Sequence, residues 1–439
     1  MNPELLERYN QAVPRYTSYP AVPDWWNVPD SDSWCTHVRD SAVRQPISLY
    51  VHLPYCESLC TYCGCNTRIT VNRAVEGPYI QSVLQEWALY RNLLPDNAPI
   101  REIHLGGGTP TFFSPQNLAL LIDGLLQHHV LYPDADLSVE AHPANTTREH
   151  LQVLYSKGFR RLSLGIQDFD PEVQRYINRI QTLEQVRNIT ELARSIGYRS
   201  VNYDLIYGLP IQSRHSVAET VRLVRELKPD RIAFYSYAHV PWMRPAQASF
   251  DPAVIPTGQA KLDLYLLGRQ LLTEAGYTDI GMDHFALPQD DLYRACKAGT
   301  MHRNFMGFTT FGNGTMIGLG ASSISDTGTC LVQNAKTVEA YRERIQQGGF
   351  AFDRGHQLSR QEAQIRAAIL SLMCTGQADV AALPADENVL GAMEADGLLT
   401  RSQDRIAVTE AGRLFVRNAC SALDPYRTAT SQNTFSKAI

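Results

Sequence analysis

Residues 47–66 read ISLYVHLPYCESLCTYCGCN. The first seven (47–53) are apolar and alternating, which predicts a strand that runs straight into a loop. That loop carries Cys56, Cys60, Cys63 and Cys65 within ten residues. Three ligand chemistries compete for these thiols. Structural zinc usually takes two cysteine pairs separated by a longer loop, and no second pair follows at that distance. A disulfide is disfavoured in a reducing compartment. An iron–sulfur cluster is the favoured reading, because thiolates are the usual ligands of [4Fe–4S] clusters and closely spaced cysteines can wrap one. The spacing Cys56-x3-Cys60-x2-Cys63 supplies three ligands. Cys65 is left open: in an extended segment it points the same way as Cys63, and in a turn it need not.

The rest of the chain sets bounds on this reading. It has 439 residues, nine cysteines, a net charge of −5, 44% hydrophobic and 19% charged residues. That composition excludes wholesale disorder and fits two or three domains, or one large α/β barrel with an appendage. Slight net acidity argues against a nonspecific nucleic-acid binder, so local arginines must hold any anionic substrate. The opening MNPELLERYN lacks a basic and then apolar signal, and no run of eighteen apolar residues exists. A cytoplasmic, reducing location with no membrane partner is therefore expected. The scattered Cys35, Cys296, Cys330, Cys374 and Cys420 read as small buried hydrophobes.

Beyond 47–53, strand patterns recur at 101–110, 136–143, 160–167, 199–210 and 231–237. Helical patterns lie between them at 77–94, 115–129, 147–157, 171–196 and 214–228. Such alternation argues a parallel sheet with crossover helices. The expected fold is α/β, an incomplete TIM-like (βα)6 barrel, with chemistry at the C-terminal strand ends. The expected divisions are an N-terminal arm over the barrel mouth (1–45), a catalytic barrel with its extension (46–335) and a mostly helical, winged-helix-like C-terminal domain (336–439). Residues 359–420 carry six arginines, no lysine and eight acids. The basic footprint of a DNA-binding winged helix is missing there, and a packing module is expected instead.

The C-x3-C-x2-C loop is the signature of the radical S-adenosylmethionine (SAM) superfamily. Further stretches narrow the resemblance: RYNQAVPRYTSYP (8–20), HLGGGTPTF (104–112), GFRRLSLGIQDFDPEVQRYINR (158–179), DLIYGLP (204–210), YAHVP (237–241), GMDHFALP (281–288), HRNFMGFTT (302–310), IGLGASSIS (317–325) and the closing FSKAI (435–439). Nearly end to end, the chain resembles the oxygen-independent coproporphyrinogen III oxidases.

That resemblance implies roles. Cys56, Cys60 and Cys63 would hold a [4Fe–4S] cluster whose fourth iron chelates SAM. Tyr50 would contact the first SAM, with His52 two residues on along the same strand face. Gly106, Gly107 and Gly108 would offer backbone to the SAM amino group, since glycine permits close approach. Glu140 and Ile324 match further positions at the first SAM. The family can hold two SAM molecules, and Tyr62, Gly108, Thr109, Gln167, Arg179, Asp204 and Ala238 match positions around the second. Tyr50, His52 and Arg179 are the residues expected to be catalytic. Taken singly each has an ordinary reading, such as a turn for the glycines or a cap for Asp204; their joint occurrence at successive strand ends carries the inference. Departures from the family pattern are Met306 in place of an expected glutamine, His142 in place of an acid, Phe311 and Asn313–Gly314.

The implied reaction converts two propionates of coproporphyrinogen III to vinyls, giving protoporphyrinogen IX in heme biosynthesis. A 5′-deoxyadenosyl radical abstracts hydrogen, and CO2 and an electron leave. An electron donor and an acceptor are implied but unidentified, and a monomer is expected. Arg15 and Arg303 are expected to grip propionates by guanidinium–carboxylate pairing, with Tyr16, Tyr19, Trp25 and Trp26 covering part of the macrocycle. Two alternatives stay open: a heme-binding chaperone of the same superfamily, and a radical SAM enzyme acting on another tetrapyrrole. Cys65 and His302–Asn304 favour the oxidase; Met306 keeps the other enzyme open.

Overall fold

The structure is a computed structural model that describes residues 3–96, 98–312, 314–427 and 435–438. Six parallel strands form its centre: β1 (Ile47–Leu53), β2 (Pro99–Gly107), β3 (Val130–Ala141), β4 (Arg161–Gln167), β5 (Ser200–Tyr207) and β6 (Arg231–Ser236). They lie side by side in chain order. The crossover helices are α1 (Glu76–Arg91), α2 (Pro115–Leu126), α3 (Arg148–Ser156), α4 (Pro171–Tyr176), α5 (Leu183–Ile196) and α6 (Arg214–Leu227).

Local sequence explains these elements. In α5, Val186, Ile189, Thr190 and Ala193 are buried at helical spacing, which lays one apolar stripe on the sheet. Thr182 and Gln185 form a capping box at its start, and Gly197 ends it at φ 113°. The helical patterns expected across 171–196 form two helices, α4 and α5, between which the chain turns through Asn178 at φ 51°. Strand β3 begins at Val130, six residues before its alternation becomes visible in sequence.

The sheet is larger than the six alternations. Beyond β6 lie β7 (Thr278–Gly281) and β8 (His284–Ala286), and a hairpin of β9 (His302–Asn304) and β10 (Gly307–Thr309) stands apart. Next to β1, on the side away from β2, β11 (Thr315–Leu319) pairs in parallel. It is followed by antiparallel β12 (Ile324–Asp326), β13 (Cys330–Asn334) and β14 (Phe352–Gln357). The result is one mixed twelve-stranded sheet with β14 and β7 at its edges. The stretch after 336 therefore gives a strand to the main sheet. It also forms a small antiparallel sheet of β15 (Gln377–Asp379), β16 (Leu399–Ser402) and β17 (Arg405–Val408) beside helices Arg360–Thr375 and Glu387–Ala395.

Both chain ends meet. Ala12 bridges to Lys437, and the buried Arg417 guanidinium donates to the carbonyls of Val13, Pro14, Ser436, Lys437 and Ala438. Tyr16, Tyr19 and Trp25 are buried and Trp26 is exposed. Of the stretches read in sequence, Asn313 and Ile439 lie outside the described residues. No helix among the described residues is long and apolar enough to cross a membrane.

Candidate active site

The loop after β1 and the C-terminal ends of β2–β5 enclose a cavity of about 560 Å³, a size that suits a cofactor-sized ligand. Its wall carries Cys56, Cys60, Cys63 and Cys65 together with Tyr62, Gly107, Gly108, Thr109, Glu140, Gln167, Arg179 and Asp204. Residues as distant in sequence as Cys56 and Asp204 thus converge because parallel strands end on the same side.

The β1 face is set first. Tyr50 and His52 point the same way, and the Tyr50 hydroxyl donates to His52 Nδ1 at 3.0 Å. His52 Nε2 faces the Asn66 carbonyl at 2.8 Å, which selects the tautomer protonated at Nε2. Burial pushes the His52 pKa down, so the ring stays neutral. The ring fills the space a Gly107 Cβ would need, only 2.7 Å away, and Gly107 itself sits at φ +113°. A Cβ on Gly108 would stand 2.6 Å from the Pro54 carbonyl. Only glycine fits either place.

Glu140 closes the next side. One carboxylate oxygen accepts the Gly107 N–H at 3.1 Å; the other faces His104 Nε2 at 3.3 Å. His104 is held in turn by Ser138 at 2.7 Å. Burial alone would raise the Glu140 pKa, but His104 and the Gly107 N–H prevail and hold it below the usual range. A carboxylate is therefore presented beside the glycine backbone.

The opposite wall is cationic and acidic at once. Arg179 donates to the Gly165 carbonyl and approaches Cys60 Sγ at 3.8 Å, while its Nε is buried without a partner. Asp204 accepts from Ser163 at 3.0 Å and Asn202 at 2.9 Å; burial and the nearby Glu140 raise its pKa to about 6. Gln167 stands at φ 67° where β4 ends. His142 also lines the cavity, and burial followed by Arg179 lowers its pKa to about 3, so it stays neutral.

Five of the residues expected at the cluster and SAM do not line this cavity. Gly106 lies just before the lining glycines, where a Cβ would stand 3.0 Å from the Glu140 carboxylate. Tyr50 and His52 stand behind the glycines. Ala238 is half-buried just past β6. Ile324 packs with Trp25 and Leu331 beside Phe305, and the Phe305 ring meets Tyr50 edge-on at 4.7 Å. Sequence reading passed over His104, Ser138, Ser163 and Asn202. Their signal was available: each lies two residues from Glu140, Asp204 or another inward position on its strand, hence on the same face. They border a second, inner cavity of about 120 Å³ with Met306, Tyr235 and His284. Arg15 is paired with Asp283. Arg303 is 3% exposed, donates to the Arg15 carbonyl at 3.4 Å, and keeps Nε and Nη1 without partners. Phe311 lies 3.9 Å under the Arg101 guanidinium.

The donor set suits a cluster. Among the described residues no three His, Cys, Asp or Glu side chains gather for a single metal ion, whereas a [4Fe–4S] cluster takes each thiolate on a separate iron. The thiols sit around one cavity, Thr109 Oγ1 lies 3.3 Å from Cys56 Sγ, and an anion, an orphaned guanidinium N–H and glycine backbone face the remaining space. That is a set of partners for a zwitterionic ligand such as SAM.

The profile of the Radical SAM superfamily matches residues 50–224, which implies a [4Fe–4S] cluster and SAM. The chain is 38% identical over 448 residues to the oxygen-independent coproporphyrinogen III oxidase of Escherichia coli strain K12, covering 99% of this chain and 98% of that one. Its counterpart from Synechocystis is 36% identical over 454 residues, covering 99% and 97%. The solved structure of the Escherichia coli coproporphyrinogen III oxidase, described as a radical SAM enzyme, superposes with a TM-score of 0.90 at 37% identity, covering 94% of this chain and 98% of that one. With fold, site and full-length likeness in agreement, this chain belongs to the oxygen-independent coproporphyrinogen III oxidase family of the radical SAM superfamily.

Proposed function

We propose that this enzyme converts coproporphyrinogen III to protoporphyrinogen IX in heme biosynthesis. Each of two propionates loses a β-hydrogen, then CO2 and one electron, and becomes a vinyl group. The observation that carries the reading is the convergence of eleven of the sixteen residues expected at the cluster and SAM on one cavity. When bound, the cluster and SAM supply one electron and a 5′-deoxyadenosyl radical.

The chain's own residues bind and orient. Cys56, Cys60 and Cys63 are the cluster ligands in this reading. Glu140 and the Gly107–Gly108 backbone receive the SAM amino group, and His52 keeps that backbone in place from behind. Gln167, Arg179 and Asp204 with Tyr62, Thr109 and Ala238 form the place for a second SAM; the buried, unpartnered Arg179 Nε supports it. Arg303 offers two unpartnered N–H groups for a substrate carboxylate, while Asp283 already satisfies Arg15.

We read the central sheet as an incomplete barrel, because inward side chains of β2–β6 border one inner cavity. In this reading residues 1–45 form a cover and the C-terminal stretch a packing module. A cytoplasmic location suits the nine free thiols. Anaerobic turnover of coproporphyrinogen III, with product and 5′-deoxyadenosine counted together, tests the proposal.

A further inference from the structure

The reaction consumes electrons that the chain does not hold, so a reductant must reach the cysteine loop from outside. The lip of that loop is open to solvent: Gly64 and Cys65 are exposed. Two cations are anchored to it. Arg244 donates to the Gly64 carbonyl, and the Asn66 amide donates to the Lys336 carbonyl at 2.7 Å. Beside them, Arg68 is 60% exposed and pairs with Glu339 at 3.0 Å. Arg342 and Arg344 lie on the helix that carries Glu339, and Arg354 lies opposite Gln333 in the β13–β14 ladder.

The acids among these groups are Glu339, Glu343 and Asp353, of which Asp353 is held by Arg344 at 3.0 Å. Six cations against three acids make a positive face on a chain whose net charge is −5. Burial and the neighbouring Arg354 and Arg244 push the Lys336 pKa down, as close cations do. Next to Arg244, Trp242 is 63% exposed and Met243 58% exposed. An exposed apolar pair next to a cation offers a protein contact an aromatic anchor beside a polar rim.

We infer that this face, formed by Arg68, Arg244, Lys336 and Arg354 with Trp242 and Met243 next to Arg244, docks an acidic one-electron carrier protein. Charge complementarity selects the occupant: opposite potentials steer encounter and reject partners of like charge. At each docking the reduced carrier gives up one electron and is oxidised. The electron passes to the centre held by Cys56, Cys60 and Cys63, which is reduced; no atom is transferred. This inference rests on the proposed function, because it requires a redox centre at those cysteines.

The test measures binding and reduction separately. A purified acidic flavodoxin is the probe, and the cluster-loaded full chain is its partner. Kd is measured in low and in moderate salt, with no SAM present. The expected results are binding that weakens steeply with salt, a further loss of about tenfold or more in Arg68→Glu/Lys336→Glu, and a loss of similar size in Trp242→Ala. Both charge changes are at exposed positions, and thermal melting checks that each variant folds. Reduced methyl viologen, a small cation, should drive 5′-deoxyadenosine formation equally in wild type and variants. Unchanged flavodoxin affinity in every variant, or equal affinity for a basic protein of similar size, would overturn the docking face. Absence of 5′-deoxyadenosine in wild type with viologen would overturn the functional reading beneath it.

Discussion

The Tyr50 hydroxyl donates to His52 Nδ1 at 3.0 Å, and the His52 ring occupies the space that a side chain on Gly107 would need. Tyr79 fixes the same histidine from the backbone side, donating to its carbonyl at 2.8 Å. The glycine edge of the cavity is thus shaped by a histidine that never lines it.

Gly107→Ala meets two penalties, a φ of +113° and a Cβ 2.7 Å from the imidazole. The expected outcome is a stability loss of about 2 kcal/mol or more, with weaker SAM binding. Thermal melting and equilibrium dialysis check it. Wild-type values in both would remove His52 from its supporting role.

Glu140→Gln keeps the shape and removes the charge that His104 and the Gly107 N–H hold low in pKa. A charge-assisted hydrogen bond to the SAM amino group contributes about 1.5–3 kcal/mol, so SAM affinity should fall by about ten- to a hundredfold. Unchanged affinity would place the amino group elsewhere.

How far could this have been read from sequence? The six parallel strands were legible because they alternate with helical patterns, clearest in the amphipathic α5 and α6, and the cysteine loop because its spacing is unusual. Strands β11–β13 were not legible. TMIGL and CLVQN are buried at every position, so they lack a period, and they are too short to separate from other apolar runs. The pairing of Arg15 with Asp283 joins residues 268 positions apart, beyond any local pattern. Among site residues, the cavity wall followed from motifs. The groups that orient it, His104, Ser138, Ser163 and Asn202, are common polar types whose meaning appears only when strands align. Ala238 and Ile324 matched by resemblance yet stand off the main cavity.

Glu86 gives a pH signature. It is fully buried and accepts from the Gly320 N–H at 2.8 Å, Asn334 at 2.6 Å and Tyr341 at 2.7 Å. Burial outweighs these bonds and raises its pKa from 4.5 to about 7. The folded chain therefore binds more protons than the unfolded chain between these values, and the Glu86 contribution to stability declines as pH rises through that window. Relative to Glu86→Gln, wild type should lose up to about 3 kcal/mol from pH 4.5 to 7. The constant offset between the two does not matter. Urea unfolding at several pH values reads the slope; parallel curves would contradict the shift.

Arg303 stays cationic although burial lowers its pKa to about 10. Arg303→Met should raise KM for coproporphyrinogen III by about tenfold or more, as expected for a lost charged hydrogen bond, and leave SAM affinity within about twofold. Arg15→Ala should have the smaller effect, since Asp283 already satisfies Arg15. Steady-state kinetics with both substrates decide this; an unchanged KM in Arg303→Met would exclude the grip.

One anaerobic reaction tests the conversion of coproporphyrinogen III by this chain. The cluster-loaded chain is given SAM, a reductant, an electron acceptor and coproporphyrinogen III, and products are resolved by chromatography and mass. The expected product is protoporphyrinogen IX, with about two 5′-deoxyadenosines for each one formed because each propionate consumes one radical. 5′-Deoxyadenosine without a vinyl product, or tetrapyrrole bound and recovered unchanged, would contradict it.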